Sequence, residues 1–167
     1  MHSLTEAEIR GSFINASKRE VRDAILPDLS SIDWDTLDLL GWRDSKKDNT
    51  GYAVTVLDDT PVGVRFTTAP KTGLRRKALC MWCQDVVVED DVTMYVARRG
   101  GAAGRKGDTI GTLICTEFGC SANVRRKPTL TEVGSSDEQD RINLINTRIN
   151  GLRERSTSFV RQVLATR

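Results

Sequence analysis

The side chains best suited to chemistry in this chain are its four cysteines, Cys80, Cys83, Cys115 and Cys120. They run C-x2-C, then thirty-one residues, then C-x4-C. Each short pair lets two sulfurs converge on one ion, and the chain between folds back to set the second pair opposite the first. This is the donor pattern of a tetrahedral zinc site. Three other chemistries use the same residues. Two disulfides are one, but the opening MHSLTEAEIR carries acids and lacks the apolar stretch of a secretory signal. In a cytoplasmic chain paired thiols stay reduced and serve as metal ligands. An iron–sulfur cluster is second, although the spacing matches neither common ferredoxin pattern. A thioredoxin-like redox pair is third, and it leaves the other two cysteines unexplained.

A zinc ion held by four thiolates has no open position for water or substrate, so the expectation is one structural Zn2+ and no catalysis. The histidine count agrees. His2 is the only histidine and sits where chain ends fray, so neither a Ser-His-Asp nor a Cys-His pair can be assembled in a core. No small-molecule substrate is expected. No apolar run is long enough to cross a membrane, and a cytoplasmic location follows as an expectation.

Charge is unevenly spread. The net charge is −4 over residues 1–70, +5 over 71–127 and +1 over 128–167. Part of the central excess compensates the formal −2 of a four-thiolate zinc site, and the rest is available to an acidic partner. Seven residues near the cysteines are candidate partner contacts: Trp82, Arg98, Arg99, Arg105, Lys106, Arg125 and Arg126. Arg75, Arg76 and Lys77 lead into the first cysteine pair.

Secondary structure around these residues can be read in outline. Residues 5–25 read as one amphipathic helix, capped by Ser3 or Thr5 with Glu6 or Glu8 and stopped by Pro27. A short helical turn carries Trp34 and Leu37. Both Trp34 and Trp42 read as core residues. The runs 52–57 and 62–68 flank Asp58–Asp59–Thr60–Pro61 as a hairpin. After an acidic turn at 89–91, the runs 93–99 and 108–115 form a second hairpin. Its connector GGAAGRKG is glycine-rich and basic but lacks the residue order of a phosphate-binding loop. A helix is expected from near Cys120 to Pro128, then a linker over 129–136. A capping box of Ser135 and Glu138 opens a last helix reaching about residue 165. Ile142, Ile145, Ile149, Leu152, Phe159, Val160 and Val163 form its apolar stripe, with a bend or a second short helix allowed at Gly151 and Ser156.

Knuckle, hairpin and helix, tied by one metal, make a treble clef. The fold class expected is therefore α+β: a treble-clef zinc finger with an added N-terminal helix and hairpin and a C-terminal packing helix. The segments are 1–70, 71–128 and 129–167, expected to form one compact unit.

The cysteines and their context carry a family resemblance. Cys80-Met81-Trp82-Cys83, the strand TMYVARR, the basic glycine turn and GTLICTEFGCSANVR resemble the C-terminal treble-clef zinc finger of the elongation factor G-binding proteins. That group contains the FusB-type fusidic acid resistance proteins. The opening LTEAEIRGSFINASKRE and the later LDLLGWRD extend the resemblance over most of the chain. It implies Cys80, Cys83, Cys115 and Cys120 as zinc ligands, elongation factor G as partner, the ribosome or rRNA as a further contact, and release of factor that the drug has trapped. Where the resistance proteins have a substantial N-terminal helical bundle, this chain shows one expected helix and a hairpin. The alternative reading is a basic zinc finger that binds RNA directly. The basic cluster can contact phosphate, but the whole-chain charge is only +2 and Tyr95 alone in the basic strand is a poor stacking platform.

Overall fold

The computed structural model describes residues 1–69, 78–85 and 91–165. The basic run 75–77 and most of the acidic turn at 89–91 lie outside the described residues.

Five strands, β1 (Leu40–Arg43), β2 (Thr50–Leu57), β3 (Thr60–Thr67), β4 (Val92–Arg98) and β5 (Thr109–Cys115), form one sheet in chain order, every neighbouring pair antiparallel. The β2–β3 hairpin closes through Asp58 and Asp59 at φ 49° and 59°, with Leu57 opposite Thr60. Two successive left-handed residues are what a two-residue turn needs to match strand twist, and aspartate tolerates that conformation better than most residues.

Alternation along β2 divides the core. Tyr52 and Val54 face one way with Leu40 and Trp42 of β1; Ala53 faces the other with Val62, Val64 and Phe66 of β3. The first face is covered by the N-terminal segment. The Trp42 ring stacks on Tyr52 at 5.0 Å, and Phe13 meets Tyr52 edge-on at 5.6 Å. The polar tips are satisfied: Trp42 Nε1 donates to the Ile25 carbonyl at 2.9 Å, and Tyr52 donates to Asp44 at 3.1 Å. Burial, then the Asp44 charge, pushes the Tyr52 hydroxyl up to about 12.

That N-terminal segment departs from the single helix expected over 5–25. It contains two short helices, α1 (Glu6–Gly11) and α2 (Lys18–Arg22). Thr5 with Glu8 forms the first capping box, and Ser17 with Glu20 forms a second inside the expected helix. Between them the backbone pairs with β3: Gly63 N donates to Ser12 O at 2.9 Å and Ile14 N to Gly63 O at 3.0 Å. The second cap and these sheet bonds outweigh two further turns of helix. The helical turn around Trp34 becomes two 3-10 turns, Leu29–Ser31 and Trp34–Thr36.

The opposite face carries the cysteines and the C-terminal helices: α4 (Cys120–Val124), α5 (Leu130–Val133) and α6 (Glu138–Leu164). The connector of the second hairpin holds a further short helix, α3 (Gly101–Arg105). The expected linker at 129–136 thus contains α5, opened by a capping box of Thr129 and Glu132. The α6 cap is Asp137, whose side chain accepts from Gln139 N at 2.9 Å; Ser135 instead accepts from Asp137 N. The helix runs unbroken for 27 residues, Gly151 and Ser156 included. Its C-terminal half buries Leu152, Phe159, Val160 and Val163, while Ile142 near its start is 44% exposed.

Candidate metal centre

The first cysteine pair lies in a tight turn after residue 78. Cys83 N donates to Cys80 Sγ at 3.4 Å, and Gln84, at φ 55°, donates its N–H back to Cys80 O at 2.8 Å. This knuckle is anchored to the sheet where Met81 N donates to Leu113 O at 2.8 Å. The second pair spans a strand-to-helix junction: Cys115 ends β5 and Cys120 begins α4. The chain between them reverses at Phe118, whose φ is 58°.

A left-handed backbone is costly for a bulky side chain, so Phe118 must be held by its surroundings. Its ring lies 4.9 Å from Tyr95 and 6.2 Å from Phe66. The remaining side is closed by bare backbone. A Cβ on Gly41 would approach Phe118 to 2.6 Å, and one on Gly51 to 2.9 Å. The Tyr95 hydroxyl donates to Thr116 O at 2.7 Å and pins the same loop. The cysteine loop is therefore seated on strands laid down more than sixty residues earlier in the sequence.

These elements bring all four sulfurs together. Every pair of Sγ atoms lies within 4.8 Å, with Cys80–Cys120 and Cys83–Cys115 both at 3.7 Å, and all four residues are buried. A tetrahedron with zinc–sulfur bonds of about 2.3 Å has sulfurs about 3.8 Å apart. Asn123 Nδ2 donates to Cys115 Sγ at 3.3 Å, a neutral donor placed to offset thiolate charge. The protonation of the cluster also fits a cation. Hydrogen bonds from the Cys115 and Cys120 thiols draw Cys80 far below the ordinary thiol range, whereas Cys115 and the other sulfurs push Cys120 well above it. Four sulfurs this close do not all ionise unaided, and a divalent ion is what lets each become a thiolate. The residues fit one structural zinc.

A buried carboxylate braces the site from the N-terminal side. Asp38 accepts from Arg125 and, at 2.8 Å, from Arg153, while its backbone N–H donates to Ser121 Oγ at 3.0 Å. Its side chain is fully buried, so the pairings hold the segment before β1 against α4 and α6. Asp38 was not legible as a brace, because nothing local marks an aspartate in DLSSIDWDTLDLL as inward-facing.

The candidate contact residues scatter into three settings. Trp82 is 2% exposed, its ring 6.2 Å from Phe66 and 5.8 Å from Phe159, so it presents no surface. Arg125 serves Asp38, and Arg126 pairs with Asp85 at 3.2 Å and Glu132 at 2.8 Å. Arg99 turns inward to the Gln162 carbonyl near the end of α6. Arg98, Arg105 and Lys106 make no ion pair among the described residues and stand exposed at one end of the β4–β5 hairpin. The connector is a built turn and not an open cradle: a Cβ on Gly104 would come within 1.7 Å of the Arg99 carbonyl.

Knuckle, antiparallel hairpin and short helix around one four-sulfur centre define a treble-clef zinc finger, here built into a larger sheet. Residues 8–163 match the family described as FBP C-terminal treble-clef zinc-finger, and the chain belongs to that family. No curated protein and no solved structure matches it significantly. Among the described residues, no helix is long and apolar enough to cross a membrane.

Proposed function

We propose that this protein is a non-catalytic cytoplasmic adaptor that docks on translation elongation factor G at the ribosome and promotes its release, with Cys80, Cys83, Cys115 and Cys120 as the ligands of one structural zinc. The family match over nearly the whole chain is the observation that carries this reading. The closed four-sulfur centre supports it, because all four cysteines are buried in one cluster and none is left over as a nucleophile. Holding the knuckle to α4 is the chemistry zinc supplies here. The exposed cations Arg98, Arg105 and Lys106 favour an acidic protein surface as partner.

The test is a release assay with ribosomes, elongation factor G and fusidic acid. The zinc-loaded protein is expected to speed factor dissociation, and the triple charge reversal Arg98→Glu, Arg105→Glu, Lys106→Glu to slow that effect. Failure of the wild-type protein to bind elongation factor G would overturn the reading. Strongly salt-dependent binding to ribosomal RNA without the factor would favour direct RNA recognition instead.

A further inference from the structure

The two edges of the sheet are treated differently. β1 is short, four residues, and is followed at once by Asp44, Lys46 and Lys47, the kind of charge and brevity that keeps an edge from pairing. β5 has seven residues, TIGTLIC, with no charge, no proline and no bulge in its register against β4. Among the described residues, no strand lies on its outer side. A main-chain bond runs there from Met81 N to Leu113 O and fixes the direction of the outward groups. In an antiparallel ladder alternate residues point outward, so Thr109, Gly111 and Leu113 aim their backbone groups away from β4.

Beside this edge runs a groove of about 550 Å³ between β5, the knuckle and α6. Its lining includes Ile110, Leu113 and Phe159. Its rim carries Met81 and Met94, 48% and 50% exposed. Unbranched thioether side chains suit a surface that must fit an incoming chain. Trp82, 2% exposed, backs the groove from behind. At the Thr109 end stand Arg98, directly opposite Thr109, and the exposed Arg105 and Lys106.

We infer that the outer edge of β5 takes an extended segment of the partner protein as a sixth strand. Main-chain bonds to Gly111 and to the Leu113 N–H, whose carbonyl Met81 N already takes, carry the pairing, and alternate apolar side chains enter the Met81–Met94–Phe159 groove. Acidic residues lie where the segment passes Arg98, Arg105 and Lys106. This inference rests on the reading that elongation factor G is the partner, and it specifies how that protein is held.

Gly111→Pro tests it. The substitution removes an outward N–H without touching the β4 ladder, and proline is tolerated at such edge positions. The Cβ it adds comes closest to the flexible Met94 Sδ, at 3.1 Å, with Tyr95 O and Val96 Cγ2 at ordinary contact distances of 3.7 and 3.9 Å. Zinc-loaded wild type, Gly111→Pro and the surface variant Met94→Glu are titrated with purified elongation factor G. Amide exchange is followed on the wild-type complex. Both variants are expected to weaken binding by about tenfold or more, and the Gly111 and Leu113 amides to become protected on binding. Should Gly111→Pro fail to fold, Met94→Glu and the exchange data decide. Wild-type binding with no amide protection and no loss in the variants would overturn strand addition and leave the adaptor reading standing. Absence of any wild-type binding would overturn both. A wild-type dimer dispersed by Gly111→Pro would make a second copy of this chain the occupant, and so overturn the inference as well.

Discussion

The two faces of the sheet solve one problem with different materials. The N-terminal face is held by apolar contact: Trp42, Tyr52 and Phe13 interlock, with their polar tips bonded to backbone or to Asp44. The opposite face has its own aromatic group of Phe66, Tyr95, Phe118 and Trp82, but it also gathers four cysteines whose mutual repulsion on ionising only a metal can relieve. A helix of five residues such as α4 cannot stand alone. On this face coordination replaces core volume. The teaching is that a modest apolar content supports a wide sheet when one face is tied by an ion and the other by stacking.

Removal of the metal should separate the two faces most severely. Chelation is expected to destabilise the cysteine face by on the order of 10 kcal/mol, seen as loss of near-ultraviolet circular dichroism and a large drop in melting temperature, restored by added zinc. The four thiols are expected to react with a thiol reagent only after chelation. Trp42→Ala attacks the other face. It should cost about 3–5 kcal/mol in denaturant unfolding, while the folded fraction keeps one zinc per chain by elemental analysis. Gly41→Ala sharpens the link between the faces. Its Cβ collides with Phe118, so a loss of about 1–3 kcal/mol should be accompanied by faster zinc release to a competing chelator. Glu132→Gln is the mildest. Arg126, then the Thr129 N–H, holds the Glu132 carboxyl well below its usual value of 4.5. Its contribution is full above that value and fades as pH falls through the lower folded-state value. At pH 7 the variant should therefore lose less than about 1 kcal/mol, and the difference from wild type should vanish in strong acid.

What the sequence made legible follows the range of each signal. Cysteine spacing is short-range and chemically specific, and it located the four-cysteine cluster. Alternation flanking Asp58–Asp59 located the first hairpin. The fold class and family were legible for the same reason. The single helix expected over 5–25 is divided because Ser17 and Glu20 form a capping box that restarts the chain within its apolar period. The same signature at Thr129 and Glu132 marked α5 inside a stretch read as linker. Other features had no local signal. The burial of Asp38 depends on Arg125 and Arg153, far away in sequence. The seat of Phe118 depends on Gly41 and Gly51, which in sequence look like ordinary strand glycines. Trp82 reads equally well as anchor or core when only its neighbours in the chain are known.

The seat beneath Phe118 also ties grip on the metal to residues that never touch it. Gly41 and Gly51 belong to β1 and β2, which precede every cysteine in the chain. The finger's hold on its ion is thus written partly in strands that lie outside the finger.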